Sequence, residues 1–577
     1  MADRASPAEK VQDVPTPTQS PTTKVTIALL PKGTEVKRLA KVPGVSPGLM
    51  SAGLGSVPAT QTYLDVSQGN RVFDSLYDAE LPRDVGGGIC GPTYSAAVVE
   101  RAESAPAEIV PGLLAATLAE HGQKCEVRSV GLGGLSGLVR GLKGNDLLIA
   151  IGRAPPAKNG ALAIGVAGRG FDGDLTSDST RTDGYVLSTD VAPTILSRLG
   201  IAVPSQMSGQ PIRSEGSVDA AAVESLGARM AVISERRGPV IGISLLVWLV
   251  VFGLAALVSS DRVSRVAIRL AGLSVVYLPL LLLATAALEP GQDTEQMLVM
   301  FGAPLLAALT LFLLGGLRAL AVASAVVVSA LAIDVIAGSE LTSLSLLGPN
   351  PGLGVRFYGI GNELEALLGV LVVAGTGAAL AGFRPRASER RAAVAFLAAG
   401  LLSAIVFAAG RFGADVGAAI VLPVGGAVAS AAIAARRRRT ALLVIAAPVA
   451  VLALIALADL VTGANAHLTR SVLDAGGLGD LADVAQRRLQ LSAHSFARPI
   501  LILFLPFIAA LAALGYLCRD RLQAWFAPFP ALRAGLIGAI AATVIGTLAN
   551  DSGALLLEIG AAYILVFAAY AWCEQSA

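Results

Sequence analysis

Past Gly238 the chain consists almost entirely of apolar runs, whereas the residues before it do not. From Pro239 onward eleven segments are long enough to cross a bilayer, each needing about 20 apolar residues. They are 239–258, 270–288, 297–316, 319–338, 364–382, 392–409, 416–434, 441–461, 499–517, 532–549 and 553–572. The chain is therefore expected to split into an N-terminal water-soluble α/β domain and an all-α polytopic membrane domain of about 11 transmembrane helices. The expected bounds are a disordered tail over 1–23, the α/β domain over 24–217, a connecting helix over 218–238 and the membrane domain over 239–573. The composition agrees: 54% of residues are hydrophobic and 15% charged, against roughly 45–50% and 25% in soluble domains. The net charge of +2 averages two unlike halves and selects no partner. No basic tract is interleaved with aromatics, so nucleic acid is not an expected partner, whereas membrane lipids are. The four arginines at 436–439 lie between two apolar spans and read as a topology anchor.

Loop charge orients the spans. The loops after the odd-numbered spans carry 15 arginines, among them Arg262, Arg265, Arg269, Arg318, Arg519 and Arg521. The loops after the even-numbered spans carry 6, spread over more residues. The positive-inside rule then places the N-terminal domain outside the cytoplasm and the C-terminus inside. Two features oppose this: Arg236 and Arg237 flank the first span on its outer side, and residues 1–30 show no signal peptide, which leaves either an inverted assignment or, favoured because five loops agree, an upstream start or an unusual export signal. Cys90 and Cys125 fall in the exported part and could pair or remain two buried thiols. Cys518 and Cys573 fall on the reduced side.

In the N-terminal domain, short apolar runs at Val25–Leu30, 125–131, 146–152 and 161–167 alternate with helical patterns at 109–121 and 190–199. That alternation predicts a doubly wound α/β domain with a parallel sheet covered on both faces. Within 175–212, the run Thr189-Asp190, Ala192-Pro193-Thr194-Ile195-Leu196, Leu199-Gly200-Ile201, Val203-Pro204, Met207 and Gly209 resembles the closing segment of the alkaline phosphatase superfamily, which includes sulfatases, phosphodiesterases and phosphoglycerate mutases. The resemblance implies a doubly wound sandwich. It does not imply catalysis, because the family's metal ligands have no counterpart here. The first strand ends Leu30-Pro31-Lys32-Gly33, where the family has an Asp-Gly pair, and Asp178 is followed by Ser179. His121 is the domain's sole histidine and reads as a surface or capping residue. A non-catalytic relative without metal or cofactor is the expectation. A metal-dependent phosphohydrolase or phosphotransferase working through this domain is an alternative.

Polar residues of the membrane part gather at the predicted outer ends of spans. Arg356, Tyr358, Asn362, Glu363 and Glu365 crowd the start of the fifth span; Arg411 and Asp415 share a tight connection and could be a structural ion pair. Arg487, Arg488 and His494 lie on an amphipathic stretch within 462–498. Asn550 and Asp551 form a turn, with Glu558 two helical turns further on. Ionisable groups beside spans usually face a bundle interior or a wet cavity. Arginines suit a phosphate or pyrophosphate, and a carboxylate nearby can serve as base. The segment 345–366 resembles one in uncharacterised multi-pass envelope proteins of Gram-positive bacteria, a likeness that implies no reaction. The layout is similar to that of glycolipid ethanolamine-phosphate transferases, which keep their metal ligands. The leading expectation is a cell-envelope transferase or transporter handling a lipid-linked or anionic precursor at the outer face. A proton-coupled transporter using Asp334, Glu363 or Glu558 is the main alternative.

Overall fold

The computed structural model describes residues 23–153, 160–383, 387–434, 446–454, 496, 505–550 and 552–575. The N-terminal domain is built on strands β1 (Val25–Leu30), β2 (Ser46–Ser51), β3 (Cys125–Ser129), β4 (Leu147–Gly152), β5 (Ala161–Gly168) and β7 (Tyr185–Leu187), in the order β3-β1-β4-β5-β2-β7. A separate ribbon pairs β6 (Asp174–Thr176) with β8 (Arg213–Glu215). Along β4 the side chains divide by period two. Leu147, Ile149 and Ile151 pack with the helices Leu113–Glu120 and Val191–Arg198 on one face. Leu148 and Ala150 pack with Leu39, Leu135 and Val223 on the other. The sheet is thus covered on both faces, as its apolar runs require.

The sheet is mixed rather than parallel. β1 runs parallel to β3 and β4, and β2 to β7, but β5 is antiparallel to both β4 and β2. This corrects the expectation for 161–167. A parallel crossover takes a dozen or more residues, and only eight separate Gly152 from Ala161. The connection was too short for anything but a hairpin. A disulfide joins Cys90 to Cys125 on edge strand β3, with the Cα atoms 5.9 Å apart. Closing this loop contributes about 4 kcal/mol in the chain-entropy picture.

Among the described residues, eight helices are long and apolar enough to cross a membrane. They are α1 (Ala220–Val258), α2 (Asp261–Leu288), α3 (Gln292–Leu314), α4 (Gly316–Ala337), α5 (Asn362–Gly382), α6 (Glu389–Ala408), α9 (Pro530–Ala549) and α10 (Gly553–Gln575), with two shorter ones, α7 (Ala418–Ala434) and α8 (Leu505–Leu517), between them. Residues 446–454 are also helical. The α1 helix starts at an Asp219 cap, which accepts from the amides of Ala221 and Ala222. It passes through a π-helical turn at Gly238–Ile243, where Pro239 removes a donor. The outward surface of these helices is apolar, with Leu249, Leu257, Phe301, Phe312 and Leu402 all exposed, a patch far larger than water-facing proteins carry. Small residues let backbones touch: a Cβ on Gly377 would stand 2.8 Å from the Ala531 carbonyl, and one on Gly400 2.6 Å from that of Leu422. Helix α5 packs against α4, α9 and α10 and is the most buried of the eight. Its first turn carries the polar residues that matter below.

Candidate functional site

The 345–361 segment lies between the α/β domain and the bundle. Its prolines and glycines bar a regular helix, and the left-handed glycines are required by contact. A Cβ on Gly354 (φ +74°) would overlap the Gly53 carbonyl, and one on Gly359 (φ +77°) the Gly413 carbonyl. From the domain side, Arg71 donates to the Gly354 carbonyl at 2.6 Å and to Ser51 Oγ at 3.1 Å. The Gly55 amide donates to the Leu353 carbonyl at 2.7 Å, and Tyr185 meets Phe357 ring to ring at 5.4 Å. From the bundle side, the Ile360 amide donates to the Gly413 carbonyl at 3.0 Å.

Five of the expected residues converge at the start of α5. Arg356 donates to Asp415 Oδ2 at 2.8 Å and also to the Ile360 carbonyl. Asp415 is 3% exposed, and its other oxygen caps α7 through the Ala418 amide at 3.0 Å. Glu365, 1% exposed, accepts from Asn550 Nδ2 at 2.7 Å. Its carboxylate fills the space over Gly417, where a Cβ would overlap both oxygens, and lies within electrostatic reach of Asp415 and Arg356. Asn550 Nδ2 also reaches Asn362 Oδ1 at 3.2 Å, while Asn550 Oδ1 takes the Ser552 amide. Asn550 therefore forms the turn expected of it and also ties α9 to α5.

Other expected residues go elsewhere. Glu363 pairs with Arg237 at 2.6 Å, and Arg237 also holds the Gly348 carbonyl. Arg411 is exposed, and the ion pair of Asp415 is with Arg356, not with Arg411. Tyr358 lies under Arg181, 4.2 Å from its ring centre. Glu558 is half-buried and bonded to none of the cluster's side chains among the described residues. Asp334 caps the short helix Glu340–Leu344, accepting from the Leu341 and Thr342 amides. Arg487, Arg488, His494 and Asp551 lie outside the described residues. A cavity of about 630 Å³, lined by Leu380, Glu389, Phe529 and Arg533, opens at the opposite end of the bundle, beside segments that are not described. It has no contact with this cluster.

Sequence reasoning missed a second polar centre, inside the α/β domain. Asp65 is buried and accepts from Gln61 at 2.7 Å and Gln68 at 3.4 Å. Arg71 and Arg101 stand nearby, and Arg101 also bonds Gln61 and Asp74. The three residues Gln61, Asp65 and Gln68 are spaced four and three apart, which without a fold reads as a solvated helix face. Asp190 forms a further knot, accepting from Ser177, Ser179 and the Gln210 and Leu187 amides. His121 ends the helix Leu113–Glu120, with Nδ1 at 2.9 Å from the Thr117 carbonyl. Among the described residues no three His, Cys, Asp or Glu side chains form a metal-holding group.

Burial pushes the Asp65 carboxyl up to about 7, against the opposing pull of Gln61, Arg71 and Arg101. Its folded-state pKa therefore exceeds the unfolded value of about 3.9. Between the two, the folded state binds the extra proton, so stability falls as pH rises and levels off above about 7, a loss of about 4 kcal/mol. Asp65→Asn should flatten that slope and raise the melting midpoint at pH 8, as read by thermal unfolding of the full-length protein in detergent from pH 4 to 8.

Comparison with known protein families, curated proteins and solved structures finds no match to this chain.

Proposed function

We propose that this is an integral membrane protein of the cell envelope that handles a lipid-linked or otherwise anionic substrate at the outer face. It would act as a transferase or transporter of envelope precursors, with a non-catalytic α/β domain related to the alkaline phosphatase superfamily as its accessory. The observation that carries this reading is the buried network Arg356–Asp415 and Glu365–Asn550, set in an otherwise apolar bundle at the end covered by the α/β domain. Polar groups in such a place are retained at a cost and usually line a substrate path.

Three observations support the outward orientation of the α/β domain. Arg269 and Arg318, from loops counted as cytoplasmic, sit at the far end of the bundle, bonded to Cys573 and Glu574 and to the Gly382 carbonyl. The Cys90–Cys125 disulfide suits an oxidising compartment. Arg236 and Arg237, which opposed the charge rule, are held at the seam with the α/β domain by Glu295 and Glu363, a packing role that accounts for their place beside the first span. Eleven spans follow if α7, α8 and the helix containing 446–454 cross alongside the eight long helices.

Proton coupling through Asp334 or Glu363 finds less support, since one caps a helix and the other is held by Arg237. The test is lipid mass spectrometry of the purified full-length protein in nanodiscs. The expected result is selective retention of anionic or pyrophosphate-linked lipid over phosphatidylcholine. A labelled precursor then separates transferase, which changes it covalently, from transporter, which moves it unchanged. Wild-type protein that retains no anionic lipid would remove the reading. Two stoichiometric zinc or manganese ions would instead favour a metal-dependent phosphohydrolase in the α/β domain.

A further inference from the structure

Apart from Arg71, which is spent on the Gly354 carbonyl and Ser51 Oγ, the arginines along the seam between the two parts fall into two groups. Arg229, Arg236, Arg237 and Arg356 each hold a carboxylate. Arg181, from the α/β domain, and Arg411, from the α6–α7 connection, hold none among the described residues, and both are exposed. Their segments meet: Arg181 Nη1 donates to the carbonyl of Gly410, the residue before Arg411, at 2.7 Å. The Arg181 guanidinium carbon lies over the ring of Tyr358, 4.2 Å from its centre, in the same segment as Arg356.

The backbone under Arg181 is unusual. It is left-handed, with φ +52°, a conformation that side chains other than glycine seldom adopt. The turn holding it is over-determined: the Arg181 amide donates to the Ser177 carbonyl at 2.8 Å, and Thr180 Oγ1 to the Tyr185 carbonyl at 2.6 Å. A rigid turn thus presents a cation at a strained position, and one N–H bond plus one ring leave most of its donors free. Such strain tends to collect where a side chain must be aimed.

We infer that the α/β domain takes part directly in the outer-face site, supplying Arg181, with Arg411 and Tyr358, as the recognition point for a phosphate-class anion. This rests on the reading that the outer face holds an anionic substrate, and it makes the site composite. The planar fork of arginine matches two phosphate oxygens, and the Tyr358 ring holds the Arg181 guanidinium at its face. A lipid headgroup and a free pyrophosphate share this chemistry.

The experiment uses the full-length protein in two arms. In one, inorganic pyrophosphate is titrated calorimetrically into protein held in phosphatidylcholine nanodiscs. In the other, protein is exchanged into nanodiscs containing phosphatidylglycerol and the retained lipid is weighed by native mass spectrometry. Arg181→Gly is the decisive variant, because glycine relaxes the left-handed turn while removing the cation, so its melting midpoint should hold or rise. It should weaken binding about tenfold or more in the arm the wild type favours, with Arg181→Lys in between. Binding in the pyrophosphate arm names a free anion as ligand, and binding only in the other names a headgroup. Wild-type affinity in Arg181→Gly would overturn the inference while leaving the outer-face reading intact. Absence of wild-type binding in both arms would remove that reading and the inference with it.

Discussion

Glu295→Ala should lose about 3–5 kcal/mol of stability, among the largest single-residue effects in the molecule. Glu295 is fully buried and receives Arg229 at 2.8 Å and Arg236 at 3.0 Å. Arg229 is itself 3% exposed, so removing the carboxylate strands a guanidinium with no water to replace its partner. The triad joins the domain-side half of α1 to the first turn of α3 and also draws in the Leu344 and Pro290 carbonyls. Thermal unfolding of the full-length protein in detergent measures the loss, and limited proteolysis should show cleavage near 290. The double variant Arg229→Met with Glu295→Leu should recover most of it, since replacing the two most buried charges by packed apolar groups is often neutral, while Arg236 is 17% exposed and keeps the Pro290 carbonyl. A single Glu295→Ala variant as stable as wild type would mean that the triad is not buried.

Arg356→Ala should be nearly as damaging, again about 3–5 kcal/mol, because Asp415 stays buried without its counter-ion. The reverse change should be milder. In Asp415→Asn the amide oxygen can still accept the Ala418 amide, and the Arg356 side chain is 34% exposed and can turn to water. A loss of about 1–2 kcal/mol is expected there, the range of a weakened cap and one charge-assisted bond. That asymmetry is the diagnostic. Equal losses for the two variants would mean that the carboxylate is as hydrated as the guanidinium, which would take the pair out of the bundle interior. Anion retention should fall in Arg356→Ala beyond what lower stability explains, as judged at a temperature where both proteins stay folded.

The cluster at the start of α5 was legible in part. Glu365, Asn362 and Asn550 stand out in sequence because polar residues flanking long apolar runs need a reason to be there. Their neighbours Glu363 and Arg411 carry the same signal, yet the structure gives them different partners: Glu363 an arginine 126 residues earlier, Arg411 an exposed position. A spacing of four made Arg411 and Asp415 look paired, but that rule needs a helix, and this connection is not one. The reversed direction of β5 could have been read from the short connection before it. Nothing in the sequence marked Arg181 or Asp65, since a lone arginine in a turn is an ordinary surface residue until a distant segment is brought beside it, and a carboxyl on a short helix is one until something covers it.

Composition and charge, taken alone, determined where the long apolar stretch begins, eight of the segments that become long apolar helices, which loops hold the arginines and which two cysteines share a domain. Those are local or additive properties, because transfer free energy accumulates residue by residue along a segment. Partner choice belonged to the tertiary structure. Arg356 meets Asp415 across 59 residues and Glu365 meets Asn550 across 185. Both contacts exist because small residues let α5, α7 and α9 pack closely enough to enclose their ends. Buried charges must find counter-charges within a few ångströms, and only the packing of the helices decides which ones are within reach.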